Sequence, residues 1–290
     1  MPQRSWLFTP GDNERKLSKV AACGADVVVI DLEDAVAEYG KVPARGLAAE
    51  WLVAHRGSTD FQRFVRINSL TGHEWRDDLA SVIAGGPDGI MVPKVGDAEE
   101  LRTLAAELYE AEQRHSIAPG STRIFAQLAE SAHAALAIPQ FAQVEMPRLC
   151  GLTWGAEDLA RDLRASRQRD EAGEWSDTFR MVRANLLLAA RALGIAPIDT
   201  MYSDFRDLDG LKLAAQNAFA DGFAGMLAIH PDQVAVINTG FSPSAEQLAQ
   251  AQEIVDLFAA NPDAGALSLG GRMVEKPHLE QAQRMLKNAP

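Results

Sequence analysis

Cysteine is nearly absent from the chain: Cys23 and Cys150 are the only two in 290 residues, far apart and in no CxxC or Cys/His spacing. That excludes a disulfide framework and a structural zinc site, and suits two free thiols in a reducing compartment. Runs of Lys or Arg are missing too, and 28 basic side chains stand against 40 acidic ones, a net charge of −12. Nucleic acid and anionic membrane surfaces need basic patches and are not expected partners. No stretch approaches the roughly 18 apolar residues of a membrane span, and the opening MPQRSWLFTPGDNERK lacks the apolar core of a signal peptide. The expectation is a cytoplasmic protein. A P-loop, a GxGxxG fingerprint and a GxSxG elbow are all absent, which removes the usual support for nucleotide hydrolysis, nicotinamide redox chemistry and serine hydrolysis. The five tryptophans are scattered rather than spaced as a stacking platform, so packing is their default role.

What is present is apolar content of 47%, enough for a large core, in a chain of the length of one α/β barrel. Short runs rich in Val, Ile, Leu and Phe alternate with longer amphipathic stretches, the rhythm of βα units around a parallel sheet. The runs predict strands at Ser5–Phe8, Val27–Asp31, Phe64–Ile67, Gly89–Val92, Ile124–Leu128, Leu149–Thr153, Pro197–Met201 and Gly225–Ile229. Eight strands close a barrel, so the expected fold is a (β/α)8 TIM barrel over residues 1–230. Leu101, Leu104, Ala105 and Leu108 give a helix over Glu99–Gln113 its apolar face. The charged stretch Arg161–Ser176 reads as a solvated loop. After Pro231 the rhythm stops. A helix over Ser242–Asn261, a Gly-rich stretch through Gly271 and a helix over Pro277–Lys287 predict a small C-terminal helical extension, 231–290.

Catalytic groups of such barrels hang from the C-terminal ends of the strands. The residues at or just beyond the end of each apolar run are therefore informative: Thr9-Pro10-Gly11, Asp31-Leu32-Glu33-Asp34, Arg66, Lys94, Glu130, Glu157-Asp158, Asp204 and His230. Several acidic clusters on one rim repel one another unless a cation lies between them, and carboxylates without Cys or paired His select a hard ion such as Mg2+. Taken singly, Asp34 or Glu157 serves equally well in the first turn of the following helix. Glu130 and Asp158 are the stronger pair, since each immediately follows a strand. Arg66 should point into the mouth, where its fork suits a carboxylate or neutralises the acidic ring. Lys94 has a similar placement and pairs naturally with a neighbouring carboxylate; His230 is either a base or a packing residue before Pro231.

The segments RSWLFTPGDNERKLSKVAACGADVVVIDLEDAV, FVRINSL, GIMVPKVG, FAQLAESA, LTWGAEDLARDL, GFAGMLAIHPDQV and GGRMVEKP carry a resemblance over nearly the whole chain. They are similar, in order, to the citrate lyase β-subunit and malyl-CoA lyase branch of the HpcH/HpaI aldolase superfamily. The resemblance implies a Mg-dependent carbon–carbon lyase that cleaves a 3-hydroxyacyl-CoA thioester of citryl, citramalyl or malyl type into acetyl-CoA and a 2-oxo acid. It implies that Glu130 and Asp158 ligate Mg2+, that Arg66 and Glu130 meet the substrate, and that Phe8, Pro10, Gly11 and Lys19 lie against the CoA moiety. Asp31, Glu33 and Asp34 would position Arg66 and water at the metal. Glu275 would act as the base from a neighbouring subunit of a homotrimer or hexamer, the tail forming a lid.

Two positions depart from the family pattern: Met226 stands where Lys is common before the IHP motif, and Glu275 where Asp is usual. The thioester is carried either by free CoA or by an acyl carrier protein. Two other readings compete. An aldolase of free hydroxy-2-oxo acids resembles the superfamily's other branch, but that branch places a His base after the second strand and DLEDAVAEYG has none. A catalytically silent barrel that binds CoA thioesters is opposed by intact Glu130, Asp158 and Arg66.

Overall fold

The computed structural model describes residues 3–171 and 173–287, in two compact units that divide between Asn238 and Thr239. The first is a closed barrel of eight parallel strands in sequence order. They are β1 (Ser5–Pro10), β2 (Val27–Asp31), β3 (Gln62–Arg66), β4 (Gly89–Val92), β5 (Arg123–Leu128), β6 (Leu149–Trp154), β7 (Ala196–Asp199) and β8 (Gly225–Ala228), with β8 pairing back onto β1. Between and after them run α1 (Glu14–Val20), α2 (Lys41–Ala54), α3 (Glu74–Val82), α4 (Ala98–Arg114), α5 (Ala132–Phe141), α6 (Ala156–Asp162), α7 (Asp177–Ala192), α8 (Leu208–Asp221) and α9 (Pro231–Gly240). No helix of the described residues is long and apolar enough to cross a membrane.

Alternate side chains of each strand fill the barrel or face the helices. Trp6, Val27, Val29, Phe64, Met91, Phe125, Ile198 and Leu227 form one interior cluster, with Trp6 stacked on Phe125 at 4.0 Å between ring centres. The outward partners, such as Val28 and Ile30, are equally buried under helices. This is why β2 reads as an unbroken apolar run rather than an alternation. Side chains supply the helix starts: Asp97 accepts from the Glu99 and Glu100 N–H groups, Ser131 from Ala134, and Asp207 from Gly210.

At two strands whose ends differ from expectation, polar contacts accompany the shift. β3 starts earlier, at Gln62, because Arg63 is satisfied at the barrel base by Asp88 and by the Leu52 and Gly86 carbonyls. β7 stops at Asp199 because that carboxylate captures the Thr200 N–H (2.9 Å) and the Trp154 Nε1–H (2.9 Å). The 161–176 stretch is not wholly solvated either: α6 occupies its start, and Trp175 packs on Trp154 and Phe179 under the Arg169 guanidinium.

The second unit holds α10 (Ala245–Ala260), β9 (Ala266–Leu269), β10 (Arg272–Glu275) and α11 (Lys276–Lys287). It is therefore not purely helical. Gly270 and Gly271 adopt φ of 59° and 80°, the left-handed pair of a two-residue hairpin turn, and they join β9 to β10 antiparallel. α10 opens with a reciprocal Ser244–Gln247 capping box.

One buried ion pair pins the barrel's N-terminal face. Glu112 of α4 accepts from Arg148 Nη1 and Nη2 (2.9 and 2.8 Å) and from the Gly120 and Thr122 N–H groups (2.8 and 2.9 Å). Burial opposes its charge, but these donors win and hold the carboxyl down at about 2. Its stabilisation is complete above the unfolded-state value of about 4.3 and lost as pH falls toward 2. Glu112→Gln, which strands the Arg148 charge, should cost about 3 kcal/mol at pH 7 in urea unfolding. The gap to the parent should narrow steadily below about pH 4.5.

Candidate active site

The barrel register decides which side chains meet at its mouth. Asp31 and Arg66 end adjacent strands and sit directly opposite each other. Arg66 Nε and Nη2 donate to the two Asp31 oxygens at 2.8 and 2.5 Å, while Nη1 lies 3.0 Å from Glu33 Oε2. Asp31 also accepts from the N–H groups of Glu33 (2.9 Å) and Ala35 (3.2 Å), so the strand's last carboxylate folds the following loop over itself. The Arg66 guanidinium lies 4.9 Å from the centre of the Phe8 ring. Burial works against its charge, but Asp31 and Glu33 hold its pKa above the ordinary value. Lys94 forms the second cationic post. Its Nζ bonds Glu33 and lies 3.1 Å from Asp34, which keeps the ammonium charged despite burial.

Glu130 stands apart from these pairs. It is buried, one oxygen accepts the backbone N–H of Lys94, and the other, Oε1, has no partner. Both residues that set this contact are strained: Lys94 has φ of 55° and Ala129 φ of 57°, left-handed conformations that cost non-glycine residues about 1 kcal/mol or more. Burial pushes the Glu130 carboxyl up to about 8; the Lys94 N–H opposes this, and the charges of Glu33 and Asp158 add to it. Gly155 leaves the space Glu130 occupies, since a Cβ there would fall 2.4 Å from Glu130 Cγ. Asp158, in the first turn of α6, is partly exposed and pairs with Arg161 at 2.7 Å.

Some of these groups border a cavity of about 270 Å³ at the mouth, lined by Arg66, Asp31, Asp34, Asp158 and Gly155 together with the apolar Phe8, Trp154, Met201 and Leu227. A buried carboxylate oxygen without a donor, beside a second carboxylate at a water-accessible cavity, fits a hard cation that keeps most of its waters. Among the described residues no group of three or more His, Cys, Asp or Glu side chains encloses a metal. Two carboxylates with water therefore make the available set.

A second cavity of about 370 Å³ shares Phe8 and collects Pro10, Arg15, Lys16, Lys19 and His230. The structure thus brings Phe8, Pro10 and Lys19 together. Gly11 does not line this cavity; its N–H donates to the Asp31 carbonyl (2.8 Å), and a Cβ would fall 2.8 Å from Leu32. His230 stacks on Phe205 with ring centres 5.0 Å apart. Glu157 is exposed and accepts from Gln168. Asp204 accepts from the Arg206 N–H. Met226 sits on the face of β8 opposite Leu227 and lines a different cavity, shared with Leu213 and Ala214 of α8, so this departure from the family pattern is not part of the mouth lining. Glu275 ends β10 in the second unit, where its N–H donates to His278 Nδ1 (3.0 Å).

Two features of the site carry little signal in the sequence. Gln127 lines the mouth cavity with its side-chain oxygen buried and unpartnered; its only sign is a polar residue inside the apolar run IFAQLA. Trp154, another lining residue, is held by Asp199, which Arg183 fixes in turn at 2.8 Å. Nothing local in the sequence links those three.

Comparison with known proteins agrees with the barrel fold. Residues 4–231 match the HpcH/HpaI aldolase/citrate lyase family. The citrate lyase subunit beta-like protein of Mycobacterium tuberculosis is 34% identical over 98% of this chain and 94% of its own length. Mouse mitochondrial citramalyl-CoA lyase is 31% identical over 99% of this chain and 86% of its own. The CitE protein of M. tuberculosis, crystallised with magnesium, acetoacetate and coenzyme A, superposes with a TM-score of 0.79 at 34% identity, covering 99% of this chain and 98% of that one. With the closed barrel in common, the chain belongs to the HpcH/HpaI aldolase/citrate lyase family, whose members named here are lyases.

Proposed function

We propose that the protein is a magnesium-dependent lyase that cleaves a 3-hydroxyacyl-CoA thioester into acetyl-CoA and a 2-oxo acid. The observation that carries this reading is the unpartnered, buried Glu130 oxygen within electrostatic reach of Asp158, which lines a cavity whose one guanidinium is already aimed by Asp31. A relative that bears the name citramalyl-CoA lyase, and a structural neighbour with both magnesium and coenzyme A bound, support it.

Glu130 and Asp158 would hold the ion. Magnesium bound there supplies Lewis acidity toward the substrate hydroxyl and the carboxylate next to it. Arg66, held against rotation by Asp31 and Glu33, binds that carboxylate and stabilises charge gathering on the oxygens as the bond breaks. The hydroxyl proton leaves to a base, the C–O bond becomes the keto group, and the electron pair of the broken C–C bond passes to the thioester α-carbon, which takes up a proton as acetyl-CoA forms. We assign the base to Glu275 of a second copy in a trimeric or hexameric assembly, the second unit serving as a lid. The CoA portion would lie in the cavity of Phe8, Pro10 and Lys19, whose cations suit phosphates.

Glu130→Gln and Arg66→Ala should each lower kcat/KM by roughly 10³-fold or more while far-UV dichroism and the thermal midpoint stay near the parent values. Full turnover by either variant contradicts the assignment. Mixing Arg66→Ala with Glu275→Gln subunits should restore part of the activity; no recovery in verified mixed oligomers removes Glu275 from the site. Gly155→Ala, which crowds Glu130, should raise the Mg2+ concentration needed for half-maximal activity by about 10-fold.

A further inference from the structure

Two polar side chains inside the barrel carry oxygens that nothing in the protein meets. Gln127 of β5 is 5% exposed and its Oε1 is buried without a hydrogen bond; Thr153 of β6 is fully buried and its Oγ1 is equally bare. The two are register partners on adjacent parallel strands, so they face the same side of the sheet. That side is the barrel interior, because Phe125, two residues before Gln127, belongs to the interior cluster. Gln127 lines the mouth cavity, whereas Thr153 does not.

The strong donors around the cavity are engaged elsewhere: Arg66 by Asp31 and Glu33, Lys94 by Glu33 and Asp34, and the Trp154 Nε1–H by Asp199. A buried amide oxygen without a donor is costly, and native proteins meet such atoms with ordered water or a ligand. Whatever meets Oε1 must carry protons. The carboxylates and the thioester of the proposed substrate carry none, and its one hydroxyl proton is lost in the reaction; water brings two. Position indicates which water. A Cβ on Gly155 would fall 3.1 Å from Gln127 Nε2 and 3.1 Å from Glu130 Cδ, so the amide and the carboxylate flank one gap. Resting on the magnesium reading above, we infer that Gln127 is a positioning residue whose amide oxygen accepts from a water bound to the cation at Glu130 and Asp158, fixing the ion's hydration shell without touching the ion. Magnesium keeps several of its waters, and outer partners of this kind are worth about 10- to 100-fold in metal affinity. In the metal-free protein the same amide does nothing for the fold that an apolar side chain of similar shape would not do as well.

The test is Mn2+ binding to the purified full-length protein, followed by the electron paramagnetic resonance signal of free Mn2+, in the parent, Gln127→Leu, Thr153→Val and Glu130→Gln, with thermal midpoints measured with and without Mg2+. Gln127→Leu should weaken Mn2+ binding by about 10-fold or more. Its metal-free midpoint should stay at or above the parent's, and Mg2+ should raise that midpoint less than it raises the parent's. Thr153→Val removes a bare oxygen that does not reach the cavity and should leave Mn2+ affinity at the parent value. Unchanged Mn2+ affinity in Gln127→Leu overturns the inference, and loss of Mn2+ by Glu130→Gln in the same series leaves the magnesium reading standing. An equal loss in Thr153→Val, or a metal-free midpoint of Gln127→Leu well below the parent's, assigns the amide to the barrel core and also overturns it. A parent that binds no Mn2+ removes the magnesium reading and this inference together.

Discussion

The two-pronged pair between Arg66 and Asp31 joins the last residues of adjacent strands, and the chemistry of the barrel mouth depends on it. A guanidinium in that position neutralises the acidic loop after β2 and forms part of the cavity wall. With Lys94 it divides the rim carboxylates into two classes. Asp31, Glu33 and Asp34 are neutralised within the protein, whereas Glu130 is left buried with a bare oxygen beside partly exposed Asp158. An ordinary stability optimum would not leave a carboxylate in that state. The bound cation proposed above would make the arrangement electrostatically reasonable.

The backbone enforces this division. Left-handed Lys94 directs its N–H at Glu130 while its side chain turns to Glu33, so one residue serves both carboxylate classes. Left-handed Ala129 delivers Glu130 from the end of β5, and Gly155 makes room for it. Strain of this kind persists only where the surroundings over-determine it. The surroundings here are the barrel interior of Trp6, Phe64 and Phe125, and the base pinned by Glu112 and Arg148. Rigid strands thus carry a site whose precision lies at their ends.

Much of this is legible in the sequence, and the exceptions have physical causes. β2 and β4 have the bounds expected of their apolar runs, because a strand buried on both faces has no alternation to blur its ends. β3 and β7 depart from expectation where Arg63 and Asp199 make polar contacts that only the fold reveals. The β9–β10 hairpin is hidden because its strands are four residues each and largely exposed, so Gly270-Gly271 is its one signal. At the site, Arg66, Glu130 and Asp158 are readable because each lies at or close behind the end of an apolar run. The left-handed backbones at Lys94 and Ala129, the bare amide of Gln127 and the Trp154–Asp199–Arg183 chain are not. They arise between strands distant in sequence, with no glycine or spacing to announce them.

The central claim is that the cation lies with Glu130 and Asp158 rather than with the acidic loop after β2. Crystals grown with Mn2+ and measured at an anomalous wavelength test it most directly. One anomalous peak is predicted within bonding distance of Glu130 and Asp158 oxygens, with the Arg66–Asp31 and Lys94–Glu33 pairs intact. A peak instead among Asp31, Glu33 and Asp34, with either pair broken, would contradict it.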